Sequence, residues 1–226
     1  NGRYREFMQA DFDIVGNVDP AQANAELCNL ISSTLSDCGL NKDQFTINVS
    51  NRKIVQGLIN ELKISEEKQV KVIRAIDKLD KPGFGLKGVE DLLKKERKDQ
   101  SGAITKGADL TDQQAAQILN FLKIKDLKEL KQTLKNQLSQ EGISELENVF
   151  EILGYGSNLN QVKTNFTIVR GLAYYSDFIV ETNLNFKVTN NKGKEVDIGS
   201  ICSGGAYAKL ISRFRGVDIP GTGISF

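Results

Sequence analysis

The period of the apolar residues changes twice along this chain, and those two changes limit the folds open to it. Toward both ends, short segments alternate apolar and polar side chains, as half-buried strands do. Between about residues 65 and 154 the spacing is helical throughout. Val70, Ile73, Ile76 and Leu79 form one stripe. Leu127, Leu130, Leu134 and Leu138 form a second, and Ile143, Leu146, Phe150 and Leu153 a third. No strand pattern interrupts this Lys- and Glu-rich stretch. Strands, then helices, then strands argue against a doubly wound βαβ arrangement. The expectation is an α+β fold: a mainly antiparallel sheet flanked by helices, built from residues 1–64 and 155–226, with an all-α insertion over residues 65–154. A chain of 226 residues has room for one core and such an inserted domain.

Local signals refine the outline. Phe12 to Val15 reads as a strand. Asp19 and Pro20 then open a helix, with Gln22 placed to complete a capping box. Leu27, Leu30, Ile31 and Leu35 give that helix its stripe, and Gly39 suits its end. Phe45 to Val49 alternates as a strand, and Ile54 to Leu62 reads as a helix. Thr111 and Gln114 spell a second capping box. The insertion contains a turn at Lys81-Pro82-Gly83 and ends at Gly154-Tyr155-Gly156. Strands are expected over Phe166 to Val169, Phe178 to Thr182, Phe186 to Thr189 and Val196 to Cys202, with a hairpin turn at Asn190 to Gly193. Gly204-Gly205 is expected to lead into an amphipathic helix carrying Leu210, Ile211 and Phe214. Pro220 to Phe226 leads into a last strand. The chain opens and closes in strand-like segments without an initiator Met, so both ends look cut.

Composition removes whole classes of chemistry. The sequence contains no histidine, which excludes Ser-His and Cys-His nucleophile pairs and nearly every zinc site. Its three cysteines, Cys28, Cys38 and Cys202, include no CxxC, which suits a reducing cytosol better than a disulfide framework. Cys28 falls among Leu27, Leu30 and Ile31 and reads as a buried thiol. The net charge of +1 demands no polyanionic partner, so nucleic-acid contact would need a local patch. No apolar stretch reaches bilayer-spanning length and no signal peptide is visible. Chemistry is left to Arg, Lys, Asp, Glu, Gln, Tyr and backbone groups.

Three segments carry unusual residues. In Gly2-Arg-Tyr-Arg-Glu-Phe-Met-Gln-Ala-Asp-Phe-Asp13, alternation places Arg3, Arg5, Phe7, Gln9, Asp11 and Asp13 on one strand face. That face is too polar for a core. It is either a solvated sheet face or a site for a substrate with both anionic and cationic groups. In Val169-Arg-Gly-Leu-Ala-Tyr-Tyr175, an arginine sits between an apolar strand and a glycine, beside paired tyrosines. Taken alone, the tyrosines read equally well as strand aromatics. In Cys202-Ser-Gly-Gly-Ala-Tyr207, two glycines let backbone or ligand approach closely, although such a pair is more often a turn.

Taken together and in order, these segments resemble the class II histidyl-tRNA synthetases. The first resembles the second half of the family's motif 2. Arg170-Gly-Leu-Ala-Tyr-Tyr175 resembles its histidine-specific loop, usually Arg-Gly-Leu-Asp-Tyr-Tyr. Ser203-Gly-Gly-Ala-Tyr207 resembles the Gly-Gly-Arg-Tyr-Asp segment before motif 3. Arg74-Ala-Ile-Asp-Lys-Leu-Asp-Lys81 is similar to another recurring stretch, and the order and spacing agree along the whole chain. The resemblance implies a class II antiparallel sheet with a helical insertion, ATP and Mg2+ as cofactors, and histidine and tRNA(His) as substrates. It also implies a homodimeric full-length protein in the cytoplasm, away from membranes. Gln9 and Asp13 would hold the histidine ammonium and help read its ring. Tyr174 and Tyr175 would line the imidazole pocket. Arg170 would act at the reacting carboxylate and α-phosphate as the catalytic residue, and Arg3 would lie near the ATP phosphates. Lys94, Lys95 and Lys98 would face the tRNA acceptor stem, although each alone reads as a solvated lysine.

The sequence departs from the family pattern at Ala206 and Ala208, where Arg and Asp are usual, and at Ser176-Asp177, where Thr-Gly is common. Motif 1, the acidic loop for the histidine amine and the first motif 2 arginine would precede Asn1. The motif 3 arginine and the anticodon-binding domain would follow Phe226. The chain by itself is therefore expected to be inactive. Two other readings remain: a synthetase-like regulatory paralogue that binds histidine without charging tRNA, and a free-standing RNA-binding helical module. The module explains the middle of the chain but not its flanks.

Overall fold

The structure is a computed structural model describing residues 6–81, 83–98, 104–155, 159–169, 175–196, 198–207, 210, 216–217 and 219–226. Strand β1 covers Asp11–Val15 and helix α1 Pro20–Asp37. At the start of α1 one half of the predicted capping box is present: the Asp19 carboxylate accepts from the Gln22 N–H at 3.0 Å, and Pro20 occupies the first turn. Past Cys38 the chain turns through Gly39, whose φ of +92° suits a residue without a Cβ. Strand β2 spans Phe45–Asn51, and Asn51 caps helix α2, Arg52–Glu61, through the Lys53 N–H.

Helices then dominate: α3 Glu66–Ile76, α4 Gly85–Lys94, α5 Asp112–Phe121, α6 Leu127–Thr133 and α7 Gln137–Gly154. The Thr111–Gln114 capping box forms with both reciprocal bonds. One expectation fails here. A short antiparallel ribbon, β3 Arg97–Lys98 with β4 Ile104–Thr105, interrupts the helical stretch. Strands of two residues are too short to display a period. The first apolar stripe is also rotated: Val72, Ile73, Ala75 and Ile76 are buried, whereas Val70 is half exposed. The second stripe runs over two helices, because the chain breaks between α6 and α7 and Asn136 caps the restart through the Leu138 N–H.

The later strands are β5 Val162–Thr164, β6 Phe178–Leu184, β7 Val188–Thr189, β8 Glu195–Val196, β9 Ser200–Ala206 and β10 Gly221–Ser225. The hairpin at Asn190 to Gly193 joins β7 to β8 as read from the sequence. Two other expectations are corrected. Phe166 to Val169 is an irregular turn, with Phe166, Ile168 and Val169 buried, and the strand is the preceding β5. Gly204-Gly205 does not enter a helix; it lies inside β9. The amphipathic helix expected over Leu210 to Phe214 falls largely outside the described residues.

Among the described residues the main sheet has the order β1-β10-β9-β6-β2-β5, and the pairs β1–β10, β10–β9 and β9–β6 are antiparallel. By contact the chain divides into two compact units. One comprises residues 1–49, 148–163 and 173–226, and the other residues 50–147 with 164–172. In the first unit, α1 packs against β9 and β10 and buries Leu27, Cys28 and Ile31 completely. The two aliphatic side chains, Leu27 and Ile31, each contribute about 1.5–3 kcal/mol of hydrophobic stabilisation. In the second unit, Leu130, Ile143 and Leu146 are buried, and the Ser139 hydroxyl donates to the Ile54 carbonyl at 3.0 Å, tying α7 to α2.

Candidate functional site

Cross-strand partners point to the same face of a sheet, so the register sorts the side chains. One row across four strands is Asp11, Ser225, Ser203 and Glu181. The adjacent row on that face is Asp13, Gly223, Gly205 and Ile179. The opposite face carries Ile14, Thr222, Ile224, Gly204, Cys202, Val180 and Thr182, and it is the side on which Cys202 meets α1. One face is therefore apolar and packed, while the other is polar, with Asp11, Asp13 and Ser203 exposed.

The polar face is organised around glycines. A Cβ at Gly223 would overlap the Asp13 carboxylate, and one at Gly205 would press on the Tyr175 ring, 3.0 Å away. A Cβ at Gly204 would strike the Gly223 carbonyl and Ile224 on the other face. Two neighbouring positions without side chains, Gly205 and Gly223, give this face a flat floor bordered by Asp13 and Tyr175. Backbone bonds lock its rim. The Tyr207 N–H donates to the Gly221 carbonyl at 2.7 Å, and the Ser176 N–H to the Ala206 carbonyl at 2.8 Å. The Tyr207 hydroxyl donates to Asp13 Oδ1, and the Gln9 amide Nε2 donates to Ser225 Oγ at 2.6 Å.

Of the residues singled out from sequence, Gln9, Asp13 and Tyr175 stand on this face or at its edge. Arg3, Arg170 and Tyr174 lie outside the described residues, as does Ala208. Sequence reasoning missed the partners Tyr207, Ser225 and Gly223. A faint signal existed in Gly221-Thr-Gly223, whose alternation puts two glycines on one strand face. Lys94 already has partners: its ammonium lies 3.0 Å from Glu90 and 2.8 Å from Asp112, linking α4 to the first turn of α5. These carboxylates hold the Lys94 pKa above its ordinary value, with Asp112 the larger cause. Lys95 is exposed, and Lys98 lies on β3.

The model of the histidyl-tRNA synthetase family matches residues 1–226, the whole chain. The chain belongs to the histidyl-tRNA synthetase family. A histidine–tRNA ligase from Pelagibacter ubique (strain HTCC1062) is 76% identical over 226 residues, with 100% of this chain and 49% of that protein covered. The crystal structure of histidyl-tRNA synthetase from Nostoc sp. PCC 7120 matches with a TM-score of 0.78 at 30% identity, covering 100% of this chain and 49% of that one. An ATP phosphoribosyltransferase regulatory subunit/histidyl-tRNA synthetase from Bacillus halodurans C shares the fold, with a TM-score of 0.72 at 17% identity over 96% of this chain and 50% of that one. The expected α+β synthetase fold is thereby established. The chain spans about half the length of the histidyl-tRNA synthetases it matches.

Proposed function

We propose that the protein carrying this chain is a histidine–tRNA ligase that activates L-histidine with ATP and transfers it to tRNA(His). The observation that carries this reading is the family match over every residue, joined to an open polar sheet face where Asp13, Tyr175 and Gln9 stand around a glycine floor. In the first step a histidine carboxylate oxygen attacks the α-phosphorus of ATP. The bond to the β-phosphate oxygen breaks, and pyrophosphate leaves. In the second step a 3′-terminal ribose hydroxyl of the tRNA attacks the histidyl carbonyl, and AMP leaves.

Gln9 and Asp13 hold the ammonium and help read the ring, and Tyr174 and Tyr175 flank the imidazole. A ring N–H that meets a fixed acceptor excludes amino acids lacking one, because the site's polar groups would otherwise stay unpaired. Arg170 is the proposed catalytic residue, offsetting charge that builds at the carboxylate and α-phosphate. Arg3 is proposed as a contact for the ATP phosphates. No group of three or more metal-ligating side chains occurs among the described residues. A magnesium ion held chiefly by phosphate oxygens and water needs no such cage, so Mg2+ is assigned to the nucleotide. Residues 65–154 form the helical insertion, with Lys95, which is exposed, a better candidate for phosphate contacts with tRNA than the ion-paired Lys94, and Lys98 proposed beside it. The full-length protein is proposed to be a cytoplasmic homodimer. No helix among the described residues is long and apolar enough to cross a membrane.

Histidine-dependent ATP–pyrophosphate exchange by the full-length protein tests this reading. Exchange with histidine alone, lost in Arg170→Ala, supports it. A folded protein that binds histidine without exchange replaces it with the regulatory-paralogue reading.

A further inference from the structure

The contact between Tyr207 and Asp13 is the part of the site to which the family resemblance gives no role. Resting on the ligase reading above, we propose that Tyr207 is a positioning residue: its hydroxyl fixes the Asp13 carboxylate in the orientation that receives the imidazole of histidine. Asp13 lies on β1, at the margin of the sheet among the described residues, and its side chain is exposed on the polar face above Gly223. The missing Cβ of Gly223 leaves the carboxylate room to turn, so a short side chain there needs an outside anchor to hold one direction.

Tyr207 has the properties of such an anchor. It follows β9 directly, its side chain is buried, and its backbone N–H is held by the Gly221 carbonyl. Its hydroxyl therefore reaches Asp13 Oδ1 from a fixed base two strands away. A phenol donates one proton, whereas an ionised carboxylate has acceptor capacity on both oxygens. One occupied site on Oδ1 sets the carboxylate plane, and the remaining capacity serves a substrate N–H. Tyr207 thus acts through Asp13 and not on the reacting atoms. Its loss should weaken histidine recognition and leave ATP handling intact.

The test is a double-mutant cycle in the full-length protein, read by ATP–pyrophosphate exchange. Tyr207→Phe should raise the KM for histidine roughly tenfold while the KM for ATP and the melting temperature stay close to the parent's. In an Asp13→Asn background the same change should add little, because the group it positions is already altered. Gly223→Ala attacks the pair from the other side, and its histidine defect should also fail to add to that of Tyr207→Phe. If Tyr207→Phe does not fold, Gly223→Ala decides the matter by itself: it should raise the KM for histidine in the parent and add little in the Asp13→Asn background. Additive losses, or equal losses for histidine and ATP, overturn the positioning role while leaving the ligase reading in place. A parent without histidine-dependent exchange overturns both.

Discussion

The Cys28 thiol is fully buried in α1, and Cys202 is buried on the sheet strand that α1 covers. Burial pushes both thiol pKa values up to about 12 from the ordinary 9.0, with the neighbouring Cys202 adding a smaller push on Cys28. The unfolded chain ionises these thiols near the ordinary value, so at higher pH it holds fewer protons than the folded chain. Their stability contribution is complete below about pH 9 and is lost as pH rises through about 12. Chemical denaturation repeated across that window should show a falling unfolding free energy; a flat profile would contradict the burial. At about pH 8, iodoacetamide should label Cys38, which is exposed, long before the other two. Gly205 gives a steric prediction. Gly205→Val should cost about 1–3 kcal/mol in urea unfolding, because the new atoms meet the Phe178 carbonyl and the Tyr175 ring. The polar face was legible at this scale only where alternation fixes it, as for Gln9, Asp11 and Asp13. The bond from Tyr207 to Asp13 joins residues far apart in the chain, and no local pattern carries such a pairing.

Element boundaries were legible where a side chain writes them. Asp19 and Thr111 each bond a backbone N–H three residues on, and those helices begin where the sequence reading puts them. Thr111→Ala should therefore lower stability by about 1 kcal/mol, measured by thermal or urea unfolding, and Thr111→Ser should recover most of it. Elements set by long-range pairing were harder to see. The β3–β4 ribbon holds two residues per strand. β9 contains Gly204-Gly205 because Gly223 and Ile224 leave no space for a side chain at Gly204, and Phe178 and Tyr175 leave little at Gly205; that crowding is visible only once the neighbouring strands are in place. Glycine pairs favour turns when judged locally, so the strand assignment was lost. The outward rotation of Val70 has the same origin: α3 turns its Val72 and Ala75 side inward.

At the scale of the molecule, the twofold change of period was the most informative reading, because an α+β fold with helices in mid-chain follows from it directly. A chain spanning about half the length of its relatives should not complete the reaction alone. The expected outcome is no histidyl-tRNA formed by these 226 residues under conditions where the full-length protein turns over. Turnover by the isolated chain would show that the remaining half of such proteins is dispensable for chemistry. The helical middle and the sheet should also respond differently to change. In the helical unit, Lys87–Glu90, Lys94–Asp112 and Lys131–Glu147 are surface ion pairs that sequence drift can exchange at little energetic expense.

The glycine floor of Gly205 and Gly223, with Gly204 facing the other way beside it, has no such freedom. Every replacement of Gly204, Gly205 or Gly223 adds at least a Cβ, and each of the three has backbone or a site side chain standing where that atom would go. Any missense change at these codons forces a neighbour to move: backbone at Gly204 and Gly205, and the Asp13 carboxylate at Gly223. A saturation library of the full-length protein, scored for growth that depends on its proposed ligase activity, should return these three positions nearly empty, while most positions on the outer surface of α3 to α6 fill. The polar face is in this sense fixed by what it lacks, and a lineage can alter it only by changing two strands at once.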